Sequence, residues 1–127
     1  MELKKILMID DEEAFLHLNE YFLRNCNIQC PIEMALNGQD ALDRMEEIKP
    51  DLILLDMQMP VMDGLEFLAK FSETPFSLKT KVFALTVSEK EEERKAALAY
   101  KFVYGFLPKP MSNQHVQFIL KHFTMLD

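Results

Sequence analysis

Leu52-Ile53-Leu54-Leu55-Asp56 is four apolar residues in a row, ended by a carboxylate. A strand with one wet face alternates apolar and polar side chains. An unbroken apolar run of this length instead reads as a strand covered on both faces, as in a parallel sheet between helical layers. Ile6-Leu7-Met8-Ile9 and Val82-Phe83-Ala84-Leu85 read the same way. Ile32 to Leu36, and Val103 to Leu107 around Gly105, complete five strand candidates.

The segments between them carry helical spacing. Ala14, Phe15, Leu18 and Phe22, with Tyr21 beside them, make one stripe, and Ala41, Leu42, Met45 and Ile48 a second. Leu65, Leu68 and Phe71 follow, then Ala96, Ala97 and Tyr100, then Val116, Ile119, Leu120 and Phe123. Repeats of three and four residues place such side chains on one helix face. Asn37-Gly38 opens the second helix, Lys49-Pro50 closes it, and Asp63-Gly64 opens the third. Ser112 is the expected N-cap of the last. Pro31 cannot donate a ladder bond, which puts the second strand at a sheet edge. The longest loop is 72–80, with Pro75. Strand and helix alternating five times predicts a right-handed, doubly wound α/β sheet forming one domain over residues 1–127.

The totals set bounds. The chain has 127 residues, 49% of them hydrophobic, and a formal charge of −7. That is enough apolar material to fold without a disulfide or a structural metal. The lysines and arginines are scattered, so direct nucleic-acid binding is not expected. Cys26 and Cys30 have no nearby histidine, and reduced thiols are expected, at least one of them packed. The first apolar run is too short for a signal peptide or a membrane span, which predicts a cytoplasmic protein. His17, His115 and His122 lie on separate helices and are not expected to act as ligands.

Ligand sites of open α/β sheets lie outside the carboxyl ends of the strands. Asp10-Asp11, Asp56, Thr86 and Lys109 all fall at such ends. Adjacent carboxylates suit a hard divalent cation such as Mg2+, although Asp10 or Asp11 as an N-cap of the first helix accounts for the same residues. An aspartate beside a metal and a lysine can accept a phosphoryl group as an acyl phosphate. Lys109 supplies a compact cation and Thr86 a hydroxyl. A strand-end Thr also occurs for structural reasons alone.

The chain resembles the receiver domains of two-component response regulators over essentially all 127 residues. The resemblance rests on Ile9-Asp10-Asp11-Glu12, on Asp56-Met57-Gln58-Met59-Pro60-Val61-Met62-Asp63-Gly64, on Leu85-Thr86, and on Leu107-Pro108-Lys109-Pro110. It implies a flavodoxin-like sheet of order 2-1-3-4-5 with five helices. It also implies Asp56 as phosphoacceptor, with Asp10, Asp11, Asp56 and the Gln58 carbonyl around Mg2+. Thr86 and Lys109 would bind the phosphoryl group, the Lys109–Pro110 bond would be cis, and Thr86 and Phe106 would form the switch. The implied partners are a histidine kinase or histidine phosphotransfer protein and a downstream protein or an effector domain outside this chain. A phosphorylation-dependent dimer is compatible with the same resemblance.

Three features depart from the family pattern: Val87 where a small residue is usual, the pair Phe102-Val103 where Gly-Ala is common, and Phe106 in place of Tyr. A branched Val87 would narrow access to Asp56. The helix before Phe102 would have to end without glycine, or run on. The run Glu89 to Lys95 reads as a solvated face or part of a docking surface. Two other classes compete. A Mg2+-dependent hydrolase with a similar sheet places a second Asp two residues after the nucleophile, where this chain has Gln58. A phosphorylation-independent interaction module would have no need of the intact acid, threonine and lysine set. No effector domain follows the last helix before the sequence stops at Asp127, which leaves a single-domain regulator and the receiver of a longer protein both open.

Overall fold

The computed structural model describes residues 1–88 and 90–124. Five strands, β1 (Ile6–Ile9), β2 (Ile32–Ala35), β3 (Leu52–Asp56), β4 (Lys81–Thr86) and β5 (Val103–Pro108), form one parallel sheet in the order β2-β1-β3-β4-β5. The helices are α1 (Glu13–Asn25), α2 (Gly38–Asp43), α3 (Met45–Ile48), α4 (Gly64–Ser72), α5 (Glu91–Leu98) and α6 (Asn113–Leu120). The flavodoxin-like topology is the one the resemblance implies.

Every residue of β1 and β3 is buried, which is why neither alternates. Their side chains divide between two cores by parity. Leu7, Ile9, Ile53, Leu55, Val82 and Ala84 pack with Met45, Phe67, Phe71 and Ala97 under α2 to α5. Ile6, Met8, Leu52, Leu54, Phe83 and Leu85 pack with Leu16, Leu23, Val116 and Ile119 under α1 and α6. Strand β2, preceded by Pro31, is one edge of the sheet and is partly exposed.

Local differences from the sequence reading have identifiable causes. The second helix is two segments, which makes six helices rather than five among the described residues. Arg44 sits at the break with φ −98° and ψ 2°, its guanidinium drawn to Met34 O and Asp40. The inward face of α1 is Leu16, Asn19 and Leu23, one residue away from the expected stripe, which leaves Leu18 and Tyr21 exposed. Buried Asn19 hides that face from a hydrophobic pattern. The segment 72–80 contains a 3-10 turn, Pro75–Leu78.

Helix α5 ends at Leu98 with Ala99 still right-handed, and neither Phe102 nor Val103 adopts positive φ. The Phe102 ring contacts Phe71 and Tyr100, so no glycine is needed there. Ser112 caps α6, its hydroxyl accepting from His115 N–H while His115 Nδ1 accepts from Ser112 N–H. Both cysteines are free and half-buried. Burial raises the Cys30 thiol, with Arg24 opposing. No described helix is long and apolar enough to cross a membrane.

Candidate functional site

The carboxyl ends of β1, β3, β4 and β5 bring Asp10, Asp56, Thr86 and Lys109 together. Sheet register does this directly: Ile9 pairs with Leu55, Asp56 with Leu85, and Thr86 with Pro108. The loop after Asp56 folds back over the strand end. Gly64 N–H donates to Met57 O at 3.0 Å, and a Cβ at Gly64 would sit 2.7 Å from the Met57 Cα. Only glycine permits that approach. Asp63 then caps α4 by accepting from Glu66 N–H at 2.9 Å.

Asp56 is 1% exposed. Its Oδ1 accepts from Gln58 N–H at 3.1 Å and lies 3.3 Å from Lys109 Nζ. Its Oδ2 is buried and has no hydrogen-bond partner among the described residues. Asp10 Oδ1 accepts from Glu12 N–H at 2.9 Å, and Asp10 Oδ2 lies 2.9 Å from Lys109 Nζ. The Lys109 side chain is 4% exposed, and the Phe15 ring covers its ammonium at 4.0 Å. The Lys109–Pro110 bond is cis.

Two acids sharing one cation leave an excess of negative charge. Burial pushes the Asp56 carboxyl up to about 7, and the nearby Asp10 charge adds to it. The Gln58 N–H and Lys109 pull the other way without cancelling the rise. Burial alone would lower the Lys109 ammonium, but its pairing with Asp10 and the charge of Asp56 outweigh that and raise it. Lys109 is therefore charged at neutral pH.

Asp10, Asp11 and Asp56 each offer an oxygen, all within 4.8 Å of one another. Hard oxygen donors at this spacing, one with an unpaired buried lone pair, fit a small divalent cation. Thr86 Oγ1 donates to Gln58 Oε1 at 2.7 Å and accepts from Ser88 N–H at 2.9 Å. Phe106 is half-buried and shares with Thr86, Val87 and Lys109 the lining of a cleft of about 350 Å³. Val87, expected to narrow access to Asp56, is 66% exposed on that cleft.

Two participants escaped the sequence reading. The sequence pattern places Phe15 only in the packing stripe of the first helix. The Gln58 side chain, considered solely for not being an acid, bonds both Thr86 and Glu93. Glu89, the first residue of the charged run, lies outside the described residues.

A family model described as "Response regulator receiver domain" matches residues 6–121. The chain belongs to that family and is a phosphorelay receiver of the two-component type. Among curated proteins it is similar to a protein-glutamate methylesterase/protein-glutamine glutaminase of Clostridium acetobutylicum, 35% identical over 87% of this chain and 32% of that protein. It is also similar to the alkaline phosphatase synthesis transcriptional regulatory protein PhoP of Bacillus subtilis, 32% identical over 89% of this chain and 45% of that protein. The chain thus spans less than half the length of these relatives. Among solved structures, chemotaxis protein CheY4 of Vibrio cholerae superposes with a TM-score of 0.82 at 24% identity, covering 96% of this chain and 99% of that one. A two-component response regulator of Legionella pneumophila gives 0.79 at 28%, covering 94% and 99%.

Proposed function

We propose that Asp56 accepts a phosphoryl group and that the resulting acyl phosphate switches the surface formed by α5, β5 and α6. One observation carries this: a buried carboxylate whose Oδ1 is held by a backbone N–H and a lysine, while its Oδ2 is left without a partner beside two further acids. The ionised carboxylate attacks phosphorus, and the bond from phosphorus to the donor's imidazole nitrogen breaks. Imidazole leaves, and the phosphoryl group stays on Asp56 as an acyl phosphate. Lys109 balances the charge gathered on the phosphoryl oxygens. Asp10, Asp11, Asp56 and the Gln58 carbonyl would hold Mg2+, which would offset the crowded carboxylates and polarise the phosphoryl group.

Thr86 then turns its hydroxyl to a phosphoryl oxygen, and Phe106 moves into the space released along the shared cleft. That motion biases the α5–β5–α6 face toward a partner, a population shift rather than a new fold. The donor is a histidine kinase or histidine phosphotransfer protein, which sets the reaction in the cytoplasm. The receiver of that output is a separate protein, a second phosphorylated copy, or an effector domain of a longer chain, a reading supported by the greater length of the relatives. The domain turns over no external metabolite; it catalyses only its own phosphorylation and dephosphorylation. The test is intact mass after incubation with Mg2+ and acetyl phosphate. Gain of one phosphoryl group, absent in Asp56→Asn and without Mg2+, supports the reading; no gain by the folded wild type refutes it.

A further inference from the structure

The Thr86 hydroxyl has one proton to give, and it is already committed. It goes to Gln58 Oε1 over 2.7 Å. Gln58 in turn donates from Nε2 to Glu93 Oε1 on the first turn of α5, also over 2.7 Å. The orientation of this amide is fixed by chemistry. An ionised Glu93 only accepts, so Nε2 must face it and Oε1 must face Thr86. The chain Thr86–Gln58–Glu93 therefore runs from β4, through the loop after Asp56, to α5.

We propose that Glu93 and the Gln58 side chain latch Thr86 in its unphosphorylated position and couple the phosphorylation site directly to α5. This rests on Asp56 being the acceptor. To donate to a phosphoryl oxygen, Thr86 must leave Gln58, because one hydroxyl proton cannot serve two acceptors at full strength. Gln58 is exposed, and holding its three side-chain torsions in one arrangement costs conformational entropy unless something anchors them. Glu93 is that anchor, through a charge-assisted bond. Phosphorylation thus has two consequences at α5. One travels through Phe106 and β5, as already proposed. The other frees the Glu93 carboxylate at the first turn of α5, a route that bypasses the aromatic residue. Thr86, Gln58 and Glu93 come from three separate segments of the chain, and the two bonds are the side-chain link between them.

Glu93 touches neither Asp56 nor Lys109 in this network, so it is a positioning residue, and its removal tests the latch. Beryllofluoride with Mg2+ serves as the phosphoryl probe. Glu93→Ala should bind it on the order of two- to tenfold more tightly, the worth of one hydrogen bond released in the resting state. Glu93→Gln, which keeps a neutral acceptor, should fall between. Glu93→Ala combined with Gln58→Ala should gain no more than Gln58→Ala alone. An unchanged affinity in Glu93→Ala, independent gains that multiply, or Glu93→Gln equal to Glu93→Ala would each overturn the latch. Ligand-free NMR gives a separate readout. The Gln58 side-chain amide pair and the Thr86 methyl must shift in Glu93→Ala, and unmoved signals reject the latch. Wild type that binds no beryllofluoride would refute Asp56 as acceptor, while the ligand-free spectra still decide the latch.

Discussion

The ring of Phe15 covers the ammonium of Lys109, 4.0 Å from nitrogen to ring centroid. One face of the cation therefore meets an aromatic surface, and the others meet Asp10 and Asp56. A cation on a ring face gains roughly 0.5–2 kcal/mol when water is excluded. Phe15 also limits where a flexible lysine can point. Phe15→Ala should slow phosphorylation by acetyl phosphate about three- to tenfold, and Phe15→Tyr should stay near wild type. Stopped-flow rates for the three proteins check this. Equal rates in Phe15→Ala and wild type would leave the ring with a packing role only.

Asp56 makes the metal-free domain pH-sensitive, and the sign follows from its raised pKa. The folded carboxyl titrates at about 7 against an ordinary value of 3.8, so the fold holds that proton more tightly than the unfolded chain does. Ionising Asp56 therefore costs stability. The cost is absent below pH 4, grows as pH rises from about 4 to 7, and levels off above. Asp56→Asn never ionises. In EDTA at pH 8 it should be roughly 2–4 kcal/mol more stable than wild type, with the gap closing toward pH 4. Urea unfolding of both proteins across that range measures it. Excess Mg2+ should shrink the pH 8 gap by stabilising the ionised carboxylates of wild type. A gap that stays constant with pH would show that ionisation of Asp56 is not its source.

The four strand-end residues were legible because sequence alone marks them. Asp10, Asp56, Thr86 and Lys109 each follow an apolar run, and a parallel sheet places all carboxyl ends on one side. Edge strand β2 was legible through Pro31 for an equally local reason. What stayed hidden depends on side-chain reach in three dimensions. The partners of Gln58 come from β4 and α5, 28 and 35 residues away along the chain. Phe15 looks like any other aromatic on an amphipathic helix until Lys109 is placed beneath it. The split between α2 and α3 arises because Arg44 reaches the backbone of β2, a contact without a sequence signature. The buried face of α1 has no hydrophobic signature in sequence because Asn19 is polar and yet buried.

Asn19 itself yields a prediction. It lies on the buried face of α1 between Leu16 and Leu23, and its Oδ1 has no hydrogen-bond partner among the described residues. A buried carbonyl without a donor costs about 1–3 kcal/mol. Leu has the same branching at Cγ with no polar atom and a better helix propensity. Asn19→Leu should raise the unfolding free energy by about 1–2 kcal/mol in thermal or urea melts. Asn19→Ala, which removes the carbonyl without filling its space, should gain less. Destabilisation by Asn19→Leu would mean that the amide is satisfied in solution.

Val61 stands in the loop that follows Asp56, and it pays for its geometry. Its φ is 69°, in the left-handed region, and its side chain is fully exposed at 101%. A β-branched residue is the least suited to that region, since Cβ crowds the following carbonyl. The cost is roughly 1–2 kcal/mol, and an exposed side chain recovers none of it through packing. The conformation is imposed by its neighbours. Met62 N–H donates to Pro60 O at 2.8 Å, and Gly64 N–H to Met57 O at 3.0 Å, which closes the loop tightly on the end of β3. Asn tolerates positive φ far better, so Val61→Asn should stabilise the domain by about 1 kcal/mol. Val61→Gly should gain less, because glycine adds freedom to the unfolded chain. Urea midpoints at constant slope measure both. If the strain also aims the Gln58 carbonyl, the relaxed Val61→Asn loop should weaken Mg2+ binding while raising stability, and isothermal titration separates the two effects. Tighter Mg2+ binding in Val61→Asn would show that the strain works against the site rather than for it.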